Sequence, residues 1–192
     1  VINFLRKKMD IIIIGGAMAN TFVAAKGLDV GKSLFEKECI DLAKELIEKS
    51  QNNNCNLILP TDFIVSKNLK KHAEYTTANF DSLPHNMMAL DIGPKSIELI
   101  NKNINNCKTI LWNGPLGAFE TYPFDKGTNK VASHVSSLTK QKKILSVAGG
   151  GDTVSALNNA KVLNDFSYVS TAGGAFLEWL EGKVLPGIEP IS

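Results

Sequence analysis

The sequence predicts an α/β fold, a three-layer αβα sandwich in which helices cover both faces of a mainly parallel sheet. Short apolar runs alternate with stretches of helical length along the 192 residues. Because these apolar runs are unbroken, they are typical of strands covered on both faces, as in a parallel sheet. Strands that alternate with helices also imply right-handed crossover connections. The length and the 44% apolar content indicate one domain.

The first strand is predicted over residues 11–14, a run of isoleucines that Gly15 and Gly16 bring to an end. A helix over residues 17–26 follows and stops at Gly27. Both boundaries depend on glycine, which interrupts strands and helices alike.

A second helix is predicted over residues 34–50. Ser33 is expected to be its N-cap, and Glu36, three residues further on, is expected to complete a capping box. The strands predicted after this helix cover residues 56–60, 62–66 and 74–77.

The second half of the chain is more regular than the segment before it. Pro94 suits the first turn of a helix, which is predicted over residues 94–105. Strands are then predicted over residues 108–112, 143–148 and 166–170. Further helices are predicted over residues 126–137, from the glycines at 149–151 to Ala160, and over residues 173–180.

Charge and cysteine content exclude several classes of protein. The net charge of +2 and the scattered 21 Lys and Arg residues give no basic surface for nucleic acid. No apolar run approaches the roughly 20 residues needed to cross a membrane, so we expect no membrane partner. Cys39, Cys55 and Cys107 form no CxxC pair, which favours a reducing compartment and a cytoplasmic location over disulfides or a zinc site.

Four predicted strands end in turns of small residues, each of which opens a helix. The turns cover residues 15–17, 113–117, 149–151 and 171–174. In a parallel sheet they would share one edge, which is where open α/β sheets bind ligands. Glycine lets an anion approach backbone amides, and a helix N-terminus adds unpaired donors and partial positive charge. We therefore expect a rim that holds a phosphorylated ligand, although any single turn could be a simple strand–helix connection.

Two acidic residues near these turns are candidates for binding. Asp152, followed by Thr153, comes directly after three glycines and could supply oxygen ligands to a Mg²⁺ ion shared with a nucleotide. It could also cap the helix that follows. Glu120, just past residues 113–117, could accept hydrogen bonds from ribose hydroxyls, and taken alone it could equally be a solvated glutamate.

At these turns the sequence closely resembles the carboxyl-terminal, nucleotide-binding domain of phosphoglycerate kinases. The matching stretches are IIGGAMANTF (13–22), VGKSLFE (30–36), LDIGPKSIEL (90–99), ILWNGPLGAFE (110–120), GGGDTVSAL (149–157) and YVSTAGGAFLEWLEGKVLPG (168–187). The resemblance implies a Rossmann-like sheet. It also implies reversible, ATP-dependent phosphoryl transfer between 3-phosphoglycerate and 1,3-bisphosphoglycerate in glycolysis, with Mg²⁺ and ATP or ADP bound by this domain.

The resemblance also implies roles for single residues. An adenine slot would be lined by Gly15, Gly16, Leu34 and Leu90. The ribose would be held by Glu120, with Asn113 and Pro115 nearby. The phosphates would be bound by Gly150, Gly151, Asp152 and Thr153, with Asp152 on the Mg²⁺ ion. The residues expected to act on the transferring phosphoryl group are Gly151, Gly173 and Gly174.

The sequence departs from the family at a few positions and over one large region. Alanine stands at 17, 89 and 172 where the family usually has glycine, and Phe176 replaces a small serine. The family's substrate domain, which holds 3-phosphoglycerate, and the first strand and loop of the nucleotide domain have no counterpart in residues 1–192. We therefore expect a monomer that binds ADP or ATP weakly and does not turn over alone. Two alternatives remain, a dinucleotide-binding oxidoreductase of Rossmann type and a truncated domain without catalytic function.

Overall fold

The computed structural model describes residues 7–50 and 55–170, together with Leu5, Glu178 and Lys183. The strands in this part of the chain are β1 (Ile11–Ile13), β2 (Asn56–Ile58), β3 (Asp62–Ser66), β4 (Thr76–Asn79), β5 (Met88–Ile92), β6 (Thr109–Asn113), β7 (Leu145–Gly149) and β8 (Tyr168–Ser170). The α-helices are α1 (Gly16–Ala25), α2 (Ile40–Ser50), α3 (Pro94–Ile104), α4 (Lys126–Lys140) and α5 (Gly151–Asn159). Short 3-10 helices cover Lys37–Cys39 and Leu163–Asp165.

The strands form two parallel groups and one antiparallel group. Strand β1 pairs with β2 in parallel, and β6, β7 and β8 form a second parallel ladder. Strands β4, β3 and β5 form an antiparallel sheet in that order. No helix lies between β3 and β5, and strands joined by loops alone pair antiparallel because a parallel pair needs a long crossover. The predicted α/β class with mainly parallel strands and flanking helices is confirmed.

Side chains pack into two apolar clusters, which form layers on the two faces of β1. One cluster contains Trp112, Val131 and Leu157 and lies under α3, α4 and α5. The other contains Phe22, Val23 and Leu46 together with residues of β3, and lies under α1 and α2. Within β1, Ile13 packs against the first cluster and Ile12 against the second. This alternation places β1 between the two layers, as expected for a strand covered on both faces.

The prediction of a helix over residues 34–50 is wrong at the N-terminal end of that range. Residues 33–36 are not helical, and α2 begins only at Ile40, after a 3-10 turn. The Ser33 hydroxyl accepts a hydrogen bond from the amide of Ala89 at 2.8 Å, so it does not cap a helix. The Thr21 hydroxyl accepts a hydrogen bond from the amide of Glu36 at 3.1 Å. These bonds to distant parts of the chain hold residues 33–36 against α1 and β5 in place of a helical turn.

The other predicted elements of the described chain are found within a few residues of their expected bounds. Pro94 is in the first turn of α3, as predicted. Strand β5 was not predicted, and the strand expected at 74–77 lies two residues later. The helix predicted over residues 173–180 falls almost wholly outside the described residues. Among the helices that are described, none combines the length and apolar character needed to span a lipid bilayer.

Candidate functional site

The turns after β1 and β6 are in direct contact. The amide of Gly16 donates a hydrogen bond to the carbonyl oxygen of Leu116 at 3.1 Å. A Cβ added to Gly15 would lie 2.5 Å from Cδ2 and 3.3 Å from Cα of Leu116, so a larger residue there would require the Leu116 side chain to move. Gly16 has a φ of 59°, a left-handed conformation that glycine adopts without strain. The glycine pair that ends the isoleucine strand therefore allows the two turns to meet.

The turn after β6 also meets the turn after β7. The amide of Gly114 donates to the hydroxyl of Thr153 at 2.7 Å, and the indole of Trp112 donates to the carbonyl oxygen of Gly114 at 2.7 Å. Gly150 has a φ of 99°, and a Cβ there would lie 3.0 Å from Oδ1 of Asn113. Three of the four predicted turns therefore lie along one edge of the parallel strands. The fourth, residues 171–174, lies outside the described residues.

Helix α5 begins at this edge, directly after strand β7. Its N-cap is Gly150, and no side chain caps it. Among the described residues, no acceptor meets the amides of Gly151, Asp152 or Thr153. Asp152 is exposed in the first helical turn rather than at the N-cap, so the alternative that it caps the helix is wrong. Helix α5 therefore begins with one exposed carboxylate, that of Asp152, beside its first amides.

A cavity of about 1150 Å³ opens beside these turns. The predicted binding residues that line it are Gly15, Gly16, Leu34, Leu90, Asn113, Pro115 and Glu120. The side chain of Leu34 is 78% exposed, which is unusual for leucine. Its backbone is held by the buried Asn20, whose side-chain amide donates to the carbonyl oxygen of Leu34 at 3.0 Å. The loop that was expected to be helical thus presents an apolar side chain to the cavity.

The polar residues that hold the turns in place were not predicted as part of the site. The buried hydroxyl of Thr128 accepts a hydrogen bond from the amide of Leu116 at 3.0 Å. The carboxylate of Asp91, 2% exposed, accepts hydrogen bonds from the amides of Gly127 at 2.6 Å and Ile92 at 2.9 Å. Burial raises the pKa of this carboxyl to about 7, although both hydrogen bonds favour the charged form. A lone aspartate inside an apolar strand segment was the signal that could have identified it.

Glycines again allow the close approach around Asp91. A Cβ at either Gly117 or Gly127 would collide with the Asp91 carboxyl group. Asp91 therefore joins the end of the β6 turn to the first turn of α4. Asp62 makes a similar junction, because its carboxylate accepts hydrogen bonds from the amides of Ser96 at 2.7 Å and Lys95 at 3.1 Å at the start of α3.

The donor set suits a metal ion that is shared with a phosphate rather than one bound by protein alone. Within the described ranges, no group of three or more His, Cys, Asp or Glu side chains is placed to hold a metal ion. Asp152 offers one carboxylate at the helix N-terminus. Because Mg²⁺ commonly binds through one or two carboxylates plus phosphate oxygens, this arrangement fits it.

The family model for phosphoglycerate kinase matches residues 1–183. The chain belongs to the phosphoglycerate kinase family. It is 54% identical over 184 residues to the phosphoglycerate kinase of Methylorubrum extorquens (strain PA1). This match covers 96% of this chain and 46% of that protein. It is also 54% identical over 185 residues to the phosphoglycerate kinase of Brucella melitensis biotype 1, covering 96% of this chain and 47% of that protein.

Solved phosphoglycerate kinase structures have the same fold. The structure from Coxiella burnetii superposes with a TM-score of 0.91 at 43% identity, covering 97% of this chain and 47% of that one. The structure from Pyrococcus horikoshii OT3 superposes with a TM-score of 0.80 at 28% identity, covering 97% of this chain and 46% of that one. The chain therefore spans about half the length of the phosphoglycerate kinases that it matches.

Proposed function

We propose that this chain forms the nucleotide-binding half of a glycolytic phosphoglycerate kinase, which transfers a phosphoryl group reversibly between ATP and 3-phosphoglycerate. The observation that carries the proposal is the meeting of three strand-end turns at one edge. Gly16 bonds to Leu116 and Gly114 bonds to Thr153, while the first amides of α5 meet no acceptor in the part of the chain that the structure describes. Membership of the family supports the reaction, and the geometry of the turns supports the placement of the nucleotide.

The base and sugar would lie in the cavity beside the turns. An adenine ring needs flat apolar contacts on its faces, which Leu34 and Leu90 offer beside the small Gly15 and Gly16. The exposed carboxylate of Glu120 can accept hydrogen bonds from ribose hydroxyls. The side chains of Asn113 and Pro115 would flank the sugar at the same opening.

The phosphates would bind at the start of α5. The amides of Gly151, Asp152 and Thr153 can each donate to a phosphate oxygen, and the helix dipole favours the negative charge. Gly150, with its positive φ, forms the turn between β7 and these amides. A Mg²⁺ ion bound by Asp152 and phosphate oxygens would neutralise part of the charge on the polyphosphate.

Phosphoryl transfer requires positioning and electrostatic stabilisation more than covalent chemistry by the protein. Gly151 would donate its amide near the transferring group. Gly173 and Gly174, outside the described residues, would do so from the next helix. In our proposal 3-phosphoglycerate binds to the part of the longer relatives that this chain does not cover. Residues 1–192 alone would then bind nucleotide without turnover, because orienting the second substrate can supply about 7–11 kcal/mol of the barrier reduction.

Calorimetric titration of the purified chain tests this proposal. We expect ADP and ATP to bind, Mg²⁺ to strengthen the binding, and NAD to leave it unchanged. A coupled assay with 3-phosphoglycerate and ATP should detect no turnover by the chain alone. Competition by NAD with no effect of Mg²⁺ would favour a dinucleotide-binding oxidoreductase. Absence of any nucleotide binding by the folded chain would favour a domain without catalytic function.

A further inference from the structure

One buried polar side chain that lines the cavity has a hydrogen-bonding atom without a partner. The described side chains that are buried, polar and part of the cavity lining are Asn20, Ser33 and Asp91. The Ser33 hydroxyl accepts from the amide of Ala89, and the Asp91 carboxylate accepts from two backbone amides. The side-chain oxygen of Asn20 is buried and meets no donor in the part of the chain that the structure describes. Because an unpaired buried acceptor is costly, we expect the molecule that fills the cavity to supply a donor.

The orientation of the Asn20 carboxamide is fixed by its other end. Its nitrogen donates a hydrogen bond to the carbonyl oxygen of Leu34 at 3.0 Å. The reverse orientation would place two oxygens against each other with no proton between them, since a carbonyl oxygen is only an acceptor. The unpaired atom is therefore the oxygen. Asn20 is 3% exposed, so bulk water has little access to this group.

Asn20 lies beside the part of the cavity where we place the adenine ring. It is in α1, one helical turn after Gly16. Residues one turn apart share a face of a helix, and helical side chains lean toward the N-terminus. The Asn20 side chain therefore leans toward Gly16, which has no side chain of its own to cover that face. Both residues line the cavity.

We propose that Asn20 determines the base specificity of the nucleotide site, because its carboxamide oxygen accepts a hydrogen bond from the exocyclic amino group of adenine. Adenine carries this donor on C6, whereas guanine and hypoxanthine carry an oxygen acceptor at the same position. The Asn20 oxygen pairs with the amino group and repels the oxygen. The inference rests on the proposed nucleotide site and adds the choice of base to it.

The segment around Leu34 suits the entry of a base. The Asn20 oxygen is buried, so the base would displace a neighbouring side chain to reach it. The Leu34 side chain is 78% exposed and is free to move over the ring. The backbone of its segment is anchored to α1 by two hydrogen bonds, from Asn20 to Leu34 and from the amide of Glu36 to Thr21. The side chain would thus adjust while the backbone keeps the carboxamide in place.

Calorimetric titration of the purified chain with nucleoside diphosphates in the presence of Mg²⁺ tests the proposal. We expect ADP to bind about 10–100-fold more tightly than IDP or GDP, since a buried hydrogen bond is lost and two acceptors are opposed. Purine riboside 5′-diphosphate has hydrogen in place of the amino group and should bind with intermediate affinity. Equal affinities for ADP and IDP would overturn the inference and leave the nucleotide site in place. If no nucleoside diphosphate binds to the folded chain, the proposed function fails and the inference fails with it.

Asn20→Leu tests whether this residue selects the base. The substitution keeps the approximate size of the side chain but removes both the acceptor and the bond to Leu34. ADP affinity should fall about tenfold or more, and ADP and IDP should then bind alike. A structural role alone would lower both affinities by the same factor. An unchanged preference for ADP in this variant would therefore contradict the proposal.

Thr21→Val is the matched control for that variant. Thr21 is 2% exposed, anchors the same segment through the amide of Glu36, and does not line the cavity. Its substitution should lower ADP and IDP affinity by the same factor and keep the preference for ADP. Loss of the preference here as well would show that the segment, rather than Asn20, selects the base. If Asn20→Leu does not fold, the comparison of ADP, purine riboside diphosphate and IDP on the unmodified chain still decides whether a donor on C6 is required.

Discussion

The backbone amide of Gly114 donates a hydrogen bond of 2.7 Å to the side-chain hydroxyl of Thr153, 39 residues further along the chain. Thr153 is 1% exposed and Gly114 is half-buried. This bond joins the turn after β6 to the first turn of α5. It fixes the position of the first amides of α5 relative to the turn after β6.

Replacement of Thr153 by valine should loosen this junction. Thr153→Val keeps the side-chain volume but removes the acceptor of the Gly114 amide, which should cost about 0.5–1.5 kcal/mol of unfolding free energy. Nucleotide affinity should also fall, because the turns would no longer be held together. Thermal denaturation and calorimetric titration measure the two effects.

The matched control for that variant is Thr77→Val, at an exposed position on β4. It should change both stability and nucleotide binding little. Equal losses in the two variants would show that the Gly114–Thr153 bond does not hold the site together.

Gly150→Ala should destabilise the fold by about 1–3 kcal/mol, because a φ of 99° is strained for any residue with a Cβ. The added Cβ would also approach Oδ1 of Asn113. Gly151→Ala is the control for stability, since it is helical and a Cβ there meets no atom within 4 Å. Urea denaturation of both variants tests the difference. An equally stable Gly150→Ala variant would contradict the conformational requirement.

Asp152→Ala should weaken Mg²⁺-bound ATP far more than metal-free ATP if Asp152 binds the metal. Fold stability should change little, because Asp152 is exposed and does not cap the helix. Glu98→Ala removes another exposed carboxylate, on α3, that does not line the cavity, and it should leave both affinities unchanged. Titrations with ATP in the presence and absence of Mg²⁺ measure the loss of affinity for each form. A similar loss for both forms of ATP would exclude a metal ligand at this position.

Asp91 should make the protein less stable as pH rises. Its pKa is raised from 3.8 to about 7 by burial, so the folded state binds a proton more tightly than the unfolded state does. The stability gained from this proton is fully present below pH 3.8 and is lost as pH rises toward 7. Denaturation experiments at several pH values measure how the free energy of unfolding changes with pH. Asp91→Asn should remove the part of this change between pH 4 and 7 that is due to Asp91.

Asp165 provides the contrast for that experiment. Hydrogen bonds from Ser136 and Lys140 lower the pKa of Asp165, so its contribution is lost as pH falls rather than as it rises. Asp165→Asn should therefore leave the fall in stability between pH 4 and 7 in place. An unchanged slope in Asp91→Asn would show that Asp91 titrates normally in the folded protein.

Local sequence signals predicted most elements of the described chain, because their causes are local. The isoleucine run before Gly15 predicted β1, and Pro94 predicted the start of α3. The same kind of signal failed at Ser33 and Glu36, where the spacing of a capping box is present. There Ala89 and Thr21, both distant in sequence, take up the hydrogen-bonding groups that a helix start would have used. A local pattern cannot report a competing partner that only the folded chain provides.

The sequence by itself determined the fold class, the glycine turns that follow the strands, and the match to a known family. Each of these depends on residue order over a short distance. Only the tertiary structure decided that Asp91, Thr128 and Thr153 hold the turns together, and that the turns after β1 and β6 are in contact. Those relationships depend on which strands become neighbours, and hydrogen bonds between residues far apart in the chain form only after that order is set.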